Sequence, residues 1–383
     1  MLPFVKALSV ALLTLLASIA LAAEEPHYPV MPLGTAAPDF DLPGVDGRSW
    51  KLGDFADARI LAIVFTCTHC PTAQAYEERI KQLVRDYHGK GVGIVAISPN
   101  SPAGVRADEL GFTDVGDTLD DMKIRAKHHE FNFPFLYDGE TEALSQKFGP
   151  VATPHVFIFD QQRRLRFRGR IDDNERLDLV KTQDMRNALD ALLADKEPPV
   201  AQTKVFGCST KWADKAAANQ AWLAKVHAEP VTVELADVAA IKAIRANQGT
   251  GKLRLINVWS TTCPPCVAEF DDLVDTNLRF RHRDFEMVTI SGNAPDEKGI
   301  VLKFLKKHFA STKNLLFAQS EQEKLIEAID PEWEGGLPYT LLVAPDGKVI
   351  YRHQGDLDFL ELRRKIVPAL NAITAWPGMK TPG

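Results

Sequence analysis

The sequence predicts an α/β protein of two tandem domains built on one plan, each a mixed central sheet flanked by helices, behind an export signal. Three observations predict it. A chain of 383 residues is too long for one ordinary core, and 45% apolar with 25% charged residues is the composition of a folded soluble protein. One pattern then occurs twice: an apolar run fit for a buried strand leads into a cysteine pair, and a helical pattern follows. Residues 60–65 precede Cys67-Thr68-His69-Cys70 and a helical stretch at 74–87; residues 253–259 precede Cys263-Pro264-Pro265-Cys266 and a helical stretch through Leu273 and Phe280. Finally, each pair is followed at a distance by a proline heading an apolar strand. Pro154 stands 87 residues after Cys67, and Pro338 stands 75 after Cys263.

The elements follow in order. Lys6, the apolar residues 7–19 and Ala20-Leu21-Ala22 read as a signal peptide over residues 1–23. After a Pro-containing leader, Asp46-Gly47 marks a hairpin turn, because Gly supplies the positive φ. Strand 60–65 and the first cysteine helix come next. Residues 91–98, apolar and β-branched, suit an interior parallel strand. Residues 99–116, rich in Pro, Gly and Ser, read as a loop. A helix at 117–131, a strand at 133–137 and a helix at 140–148 follow. The strand headed by Pro154 is paired with the alternating 164–168 run, and helix 184–193 closes the unit. Glu197-Pro198-Pro199 is a stiff linker, and 213–226 a helix between domains. The second unit repeats the plan: strand 231–233, helix 237–246, strand 252–259, the cysteine helix, strand 285–290, helix 297–309, a short strand near Leu316, helix 322–329, the strand headed by Pro338, a return strand at 349–352 and helix 359–370.

A net charge of −6 with mixed signs gives no reason to expect nucleic acid or an anionic membrane surface as partner. No segment after the leader has an apolar run long enough to cross a bilayer. The expectation is a protein of the periplasm or another extracytoplasmic space, without stable membrane insertion after signal cleavage. Disulfides persist there.

Five cysteines form two close pairs and leave Cys208 over. Each pair closes too short a loop to contribute much folding stability, so the pairs read as working groups. A sulfur where a helix begins meets free N–H groups and the helix dipole, and its thiolate is favoured. On that basis Cys67 and Cys263 are expected to attack target disulfides, with Cys70 and Cys266 resolving the mixed disulfide. His69 is expected to donate to the Cys67 thiolate and make the first pair the more oxidising.

These residues resemble the thioredoxin superfamily, which implies two tandem thioredoxin-like domains with a cis proline facing each cysteine pair. The resemblance assigns Thr153-Pro154 and Leu337-Pro338 to substrate docking. The domain boundaries expected are 33–196, 197–229 for the linker and inter-domain helix, and 230–383. The first domain resembles the AhpC/TSA, peroxiredoxin-like redoxins through Ala37-Pro38-Asp39-Phe40, Phe65-Thr66-Cys67-Thr68-His69-Cys70-Pro71 and Phe206-Gly207-Cys208-Ser209. The second is similar to the TlpA/ResA group of exported disulfide reductases through Asn257-Val258-Trp259-Ser260, the Cys-Pro-Pro-Cys run and Gly336-Leu337-Pro338. That likeness implies that Glu269 assists proton transfer at Cys266. The expected function is an exported thiol–disulfide oxidoreductase acting on protein thiols and disulfides, supplied by an unidentified electron donor, with a possible inter-domain relay.

Two alternatives stand beside it. Peroxiredoxin-like peroxidase chemistry is weakened because the Thr or Ser expected three residues before the reactive cysteine is Val64 for Cys67 and Cys67 for Cys70. A resemblance to SCO-type copper chaperones would use Cys67, Cys70 and His155, but with two residues between the cysteines where that family has three. Cys208 is either a resolving thiol or a small buried apolar residue. No organic cofactor and no resident metal are expected, since the sulfurs carry the electrons.

Overall fold

The opening hairpin forms where Asp-Gly allows it: β1 (Asp41–Pro43) pairs antiparallel with β2 (Ser49–Lys51), and Gly47 takes φ +79°. The computed structural model describes residues 28–319 and 321–376, so the expected signal peptide lies outside the described residues. In β3 (Ile60–Phe65) all six apolar side chains are buried, as a strand covered on both faces requires. Its Ile, Leu, Val and Phe side chains each contribute roughly 1.5–3 kcal/mol of transfer free energy, Ala62 less. Helix α1 (Pro71–Tyr87) follows, then β4 (Val92–Ser98), α2 (Leu119–His128), β5 (Phe135–Tyr137), α3 (Ala143–Phe148), β6 (Ala152–Thr153), β7 (His155–Phe159), β8 (Leu165–Gly169) and α4 (Asp184–Leu193). The sheet order is β5-β4-β3-β7-β8, parallel on one side of β3 and antiparallel on the other.

Between the units lie β9 (Cys208–Ser209) and α5 (Ala216–His227). The second unit runs β10 (Glu234–Ala236), α6 (Val238–Ala246), β11 (Leu253–Trp259), α7 (Pro264–Ala268), α8 (Phe270–Phe280), β12 (Phe285–Ser291), α9 (Lys298–Lys307), β13 (Lys313–Phe317), α10 (Gln322–Ile329), β14 (Tyr339–Val343), β15 (Val349–Gln354) and α11 (Phe359–Ile373). Its sheet order, β10-β13-β12-β11-β14-β15, is the first order with one strand added at the edge. Each sheet divides its core into two layers, with Val64 and Ile80 on one side of the first sheet and Phe65 and Phe157 on the other. Leu255 and Phe270 lie on one side of the second sheet, Ile256 and Val258 on the other.

Two expectations change. The edge strand expected at 231–233 forms three residues later, as β10. The Thr232 carbonyl is taken by the Asn314 side-chain amide at 3.1 Å, and Val233 is buried in the core without strand pairing. The second cysteine helix is also interrupted at Glu269, which ends α7 and caps α8.

The 99–116 loop contains two single turns of 3₁₀ helix, and it joins the two halves. Its turn Ala107–Leu110 packs on α8. The Asp114 carboxylate accepts from Arg364 Nε at 2.9 Å, its carbonyl accepts from Arg363 Nε at 2.7 Å, and the Gly111 carbonyl accepts from Arg283 Nη1 at 3.0 Å.

Candidate active site

Pro71, fixed at N1 of α1, sets where the first cysteine helix begins. Its N-cap is therefore Cys70, whose sulfur accepts from the Ala73 N–H at 3.5 Å. Cys67, expected at this position, lies three residues earlier, with Sγ 3.1 Å from Thr153 Oγ1. The Thr153–Pro154 bond is cis, and the Thr153 carbonyl oxygen stands 3.6 Å from Cys70 Sγ. The resemblance thus places its proline segment correctly, while the helix terminus serves the second sulfur.

Asp117 organises the charges around the pair. Its carboxylate accepts from the Thr68 and His69 N–H groups at 2.9 and 3.0 Å, from Asn100 Nδ2 at 2.7 Å, and from the Thr68 hydroxyl. It also holds His69 Nδ1 at 2.5 Å. Burial alone would raise the Asp117 pKa, but the His69 charge and these donors hold it well below the usual carboxylate range. Burial likewise opposes the His69 charge, and Asp117 overrides it, so the His69 pKa rises. His69 therefore pairs with Asp117 and does not donate to Cys67 as expected.

The two sulfurs diverge. Burial pushes the Cys67 thiol far up, and the hydrogen bond to Cys70 and the Asp117 charge add to it. Burial also opposes the Cys70 thiolate. Hydrogen bonds from Cys208 and Cys67, the His69 charge and the Ala73 N–H overcome it, and the Cys70 pKa falls well below the ordinary thiol value. The arrangement is a Cys70 thiolate supported by a Cys67 thiol.

Cys67, His69 and Asp117 bring donor atoms within 4.8 Å of one another, but the carboxylate's lone pairs are already committed to five donors. His155, the distal ligand of the copper alternative, is outside this cluster. Its ring lies 4.4 Å from that of Phe157, and burial drives its pKa down to about 3.

This first site is sealed. Cys67 is 2% exposed, Cys70 0% and Thr153 1%, and Pro154 is buried. The Thr68 hydroxyl donates to the Gly116 carbonyl, and Asn100 Oδ1 accepts from the Lys211 N–H at 2.9 Å. Lys211 also pairs with Glu109. The longer connection of the first domain thus folds over its own cysteines, and the docking surface expected at Thr153 and Pro154 is not open. Cys208, by contrast, is half-buried and packs on Cys67, Cys70 and Ala73.

The second site is open on one side. Cys263 is the N-cap of α7 and is disulfide-bonded to Cys266; Cys263 is half-buried and Cys266 buried. Ser260, Thr262, Cys263, Asn293, Trp333 and Leu337 line a groove of about 340 Å³, and the Leu337–Pro338 bond is cis. Asn293, which the sequence reading passed over, fixes the approach to Cys263. Its Oδ1 accepts from Ser260 Oγ at 3.2 Å and the Thr261 N–H at 3.0 Å. Three residues after Cys266, Glu269 Oε2 accepts from the Leu357 N–H at 3.0 Å, and the Asn257 side chain also stabilises its carboxylate. Burial raises the Glu269 pKa to about 7, against the Leu357 N–H.

Residues 33–168 match the AhpC/TSA family and residues 209–363 the Redoxin family. Among curated proteins, the thiol-disulfide oxidoreductase ResA of Halalkalibacterium halodurans is 24% identical over 146 residues, which cover 37% of this chain and 78% of that protein. The protein of the same name from Bacillus subtilis is 28% identical over 109 residues, 28% of this chain and 56% of the relative. A crystal structure of an uncharacterized conserved protein from Geobacillus kaustophilus aligns at 34% identity and TM-score 0.42, covering 48% of this chain and 93% of that one.

Proposed function

The chain joins an AhpC/TSA-family region to a Redoxin-family region, and from that premise we propose that it is an exported thiol–disulfide oxidoreductase with two unequal dithiols. The Cys263–Cys266 pair works on protein substrates. The observation that carries this reading is the groove in which half-buried Cys263 and Leu337 meet beside a cis proline, together with a helix start that favours the Cys263 thiolate. In the reduced enzyme that thiolate attacks a target disulfide and releases one target thiolate. Cys266 then attacks the mixed disulfide, releases the second target thiolate and restores the Cys263–Cys266 bond. Glu269, titrating near neutrality, takes the Cys266 proton. Relatives named thiol-disulfide oxidoreductases support the reaction class. Among the described residues no helix is long and apolar enough to cross a membrane.

In the first domain Cys70 is the nucleophile and leaving group and Cys67 its partner thiol. A stabilised Cys70 thiolate favours the reduced form, so this pair is the stronger oxidant. Its burial favours a second reading there, a small hydroperoxide as oxidant: the Cys70 thiolate attacks the peroxide, becomes a sulfenic acid and releases an alcohol, and Cys67 displaces water to form the disulfide. The test is trapping with Cys266→Ser. The variant is expected to hold partner proteins as mixed disulfides on Cys263 that thiol reductant releases. Absence of captured protein, with the second domain folded, would refute the assignment.

A further inference from the structure

The structure leaves the first dithiol chemically poised and physically unreachable, with Cys70 at 0% and Cys67 at 2% exposure. One sulfur connects it to solvent. β9 pairs with β6 in the register that sets Cys208 opposite Thr153, and the Cys208 N–H donates to Cys70 Sγ at 3.3 Å. Cys208 lies against both other cysteines and is itself half-buried. The backbone approaches so closely because residue 207 is glycine. A Cβ there would stand 2.1 Å from the Thr153 carbonyl oxygen, and its φ of +137° is one that side chains rarely adopt. A cysteine that only filled a core position would need neither the partly exposed setting nor a backbone bond to a reactive sulfur.

We propose that Cys208 is the port of the sealed site: it exchanges with Cys67 for Cys70, and carries disulfide bonds between the buried pair and thiols outside. The inference rests on the reading of Cys67 and Cys70 as a redox pair and adds a third working sulfur to it. The Cys208 thiolate attacks Cys70 of the Cys67–Cys70 disulfide. The Cys70–Cys208 bond forms, the Cys67–Cys70 bond breaks, and Cys67 leaves as a thiolate and takes up a proton. An external small thiol, as its thiolate, then attacks the more accessible Cys208 sulfur and displaces the Cys70 thiolate. A second external thiol reduces the resulting mixed disulfide. Overall, two external thiols become one disulfide and the buried disulfide becomes two thiols. The order is protected by charge. While Cys70 is a thiolate, its hydrogen bond to Cys208, with burial, keeps Cys208 protonated. When Cys70 enters a disulfide that charge disappears, and Cys208 is freed to react.

The experiment uses the full chain without its leader, oxidised with limiting diamide, alkylated and mapped by non-reducing peptide mass spectrometry. The wild type is expected to show Cys67–Cys70 with a smaller share of Cys70–Cys208, and Cys67→Ser to convert mainly to Cys70–Cys208. Reduction of the Cys67–Cys70 disulfide by glutathione is expected to slow at least tenfold in Cys208→Ser. The proposal is overturned if Cys70–Cys208 is absent from both proteins, or if Cys208→Ser is reduced at the wild-type rate. A wild type that never forms Cys67–Cys70 would instead refute the underlying reading, and the port with it. Mapping the wild type needs no substitution, so a variant that fails to fold leaves the test intact.

Discussion

Asp117 acts on two neighbouring sulfurs with opposite sign. Its charge raises the Cys67 pKa directly, and it lowers that of Cys70 by holding a charged His69 beside it. The reduced protein is therefore expected to show, below the ordinary thiol titration range, a share of thiolate absorbance at 240 nm that survives Cys67→Ser and is lost in Cys70→Ser. In Asp117→Asn the Cys70 transition should move upward, since the His69 charge that stabilises its thiolate loses its partner. Glu269 carries a different pH signature. Its folded pKa, raised from 4.5 to about 7, means that the native state holds a proton the unfolded chain has lost between those values. Stability then falls as pH rises through that window and stays lower above it. Glu269→Gln should accordingly be neutral at pH 4 and stabilising by about 2 kcal/mol at pH 8, the ~3.4 kcal/mol of the full shift being reduced by solvent screening of a carboxyl that is not fully buried, read from urea melts at the two pH values.

At the scale of elements, the two-residue ladder of β6 and β9 decides whether the third sulfur reaches the first pair. Gly207→Ala places a Cβ against the Thr153 carbonyl oxygen and should cost on the order of 2–4 kcal/mol. It should also raise the alkylation rate of Cys208, measured by timed mass spectrometry, as the ladder opens. Long buried runs such as Ile60–Phe65 and Leu253–Trp259 were legible in the sequence because a strand covered on both faces is predominantly apolar, although the second also buries Arg254 and Asn257. The repeat of the plan was legible from the recurring strand, cysteine pair and helix with a distant strand-heading proline. What local pattern could not reveal was competition between distant groups. Residues 231–233 read as a strand until the Asn314 amide takes the Thr232 carbonyl. Both cis prolines and all five cysteines were found, but which sulfur caps the helix depended on Pro71. Asp117, buried among five donors, looked like an ordinary helix-start acid.

In the whole molecule, the loop that seals one site is held by the other domain. Arg363, Arg364 and Arg283 bind the 111–114 segment of that loop, so access to Cys67 and Cys70 depends on contacts in the C-terminal half. Changing Arg363 and Arg364 together to Ala should speed alkylation of Cys70 at least threefold while the circular-dichroism spectrum is preserved; an unchanged rate would show that the cover stands without the second domain. The central claim, that the two dithiols are unequal and only the second meets protein substrates, is tested most directly by reduction of insulin at neutral pH with a fixed supply of small thiol. Cys263→Ser with Cys266→Ser should lower the rate at least a hundredfold, while Cys67→Ser with Cys70→Ser leaves it within about threefold of the wild type. Equal loss from the two double variants, or greater loss from the first-domain pair, would contradict the account.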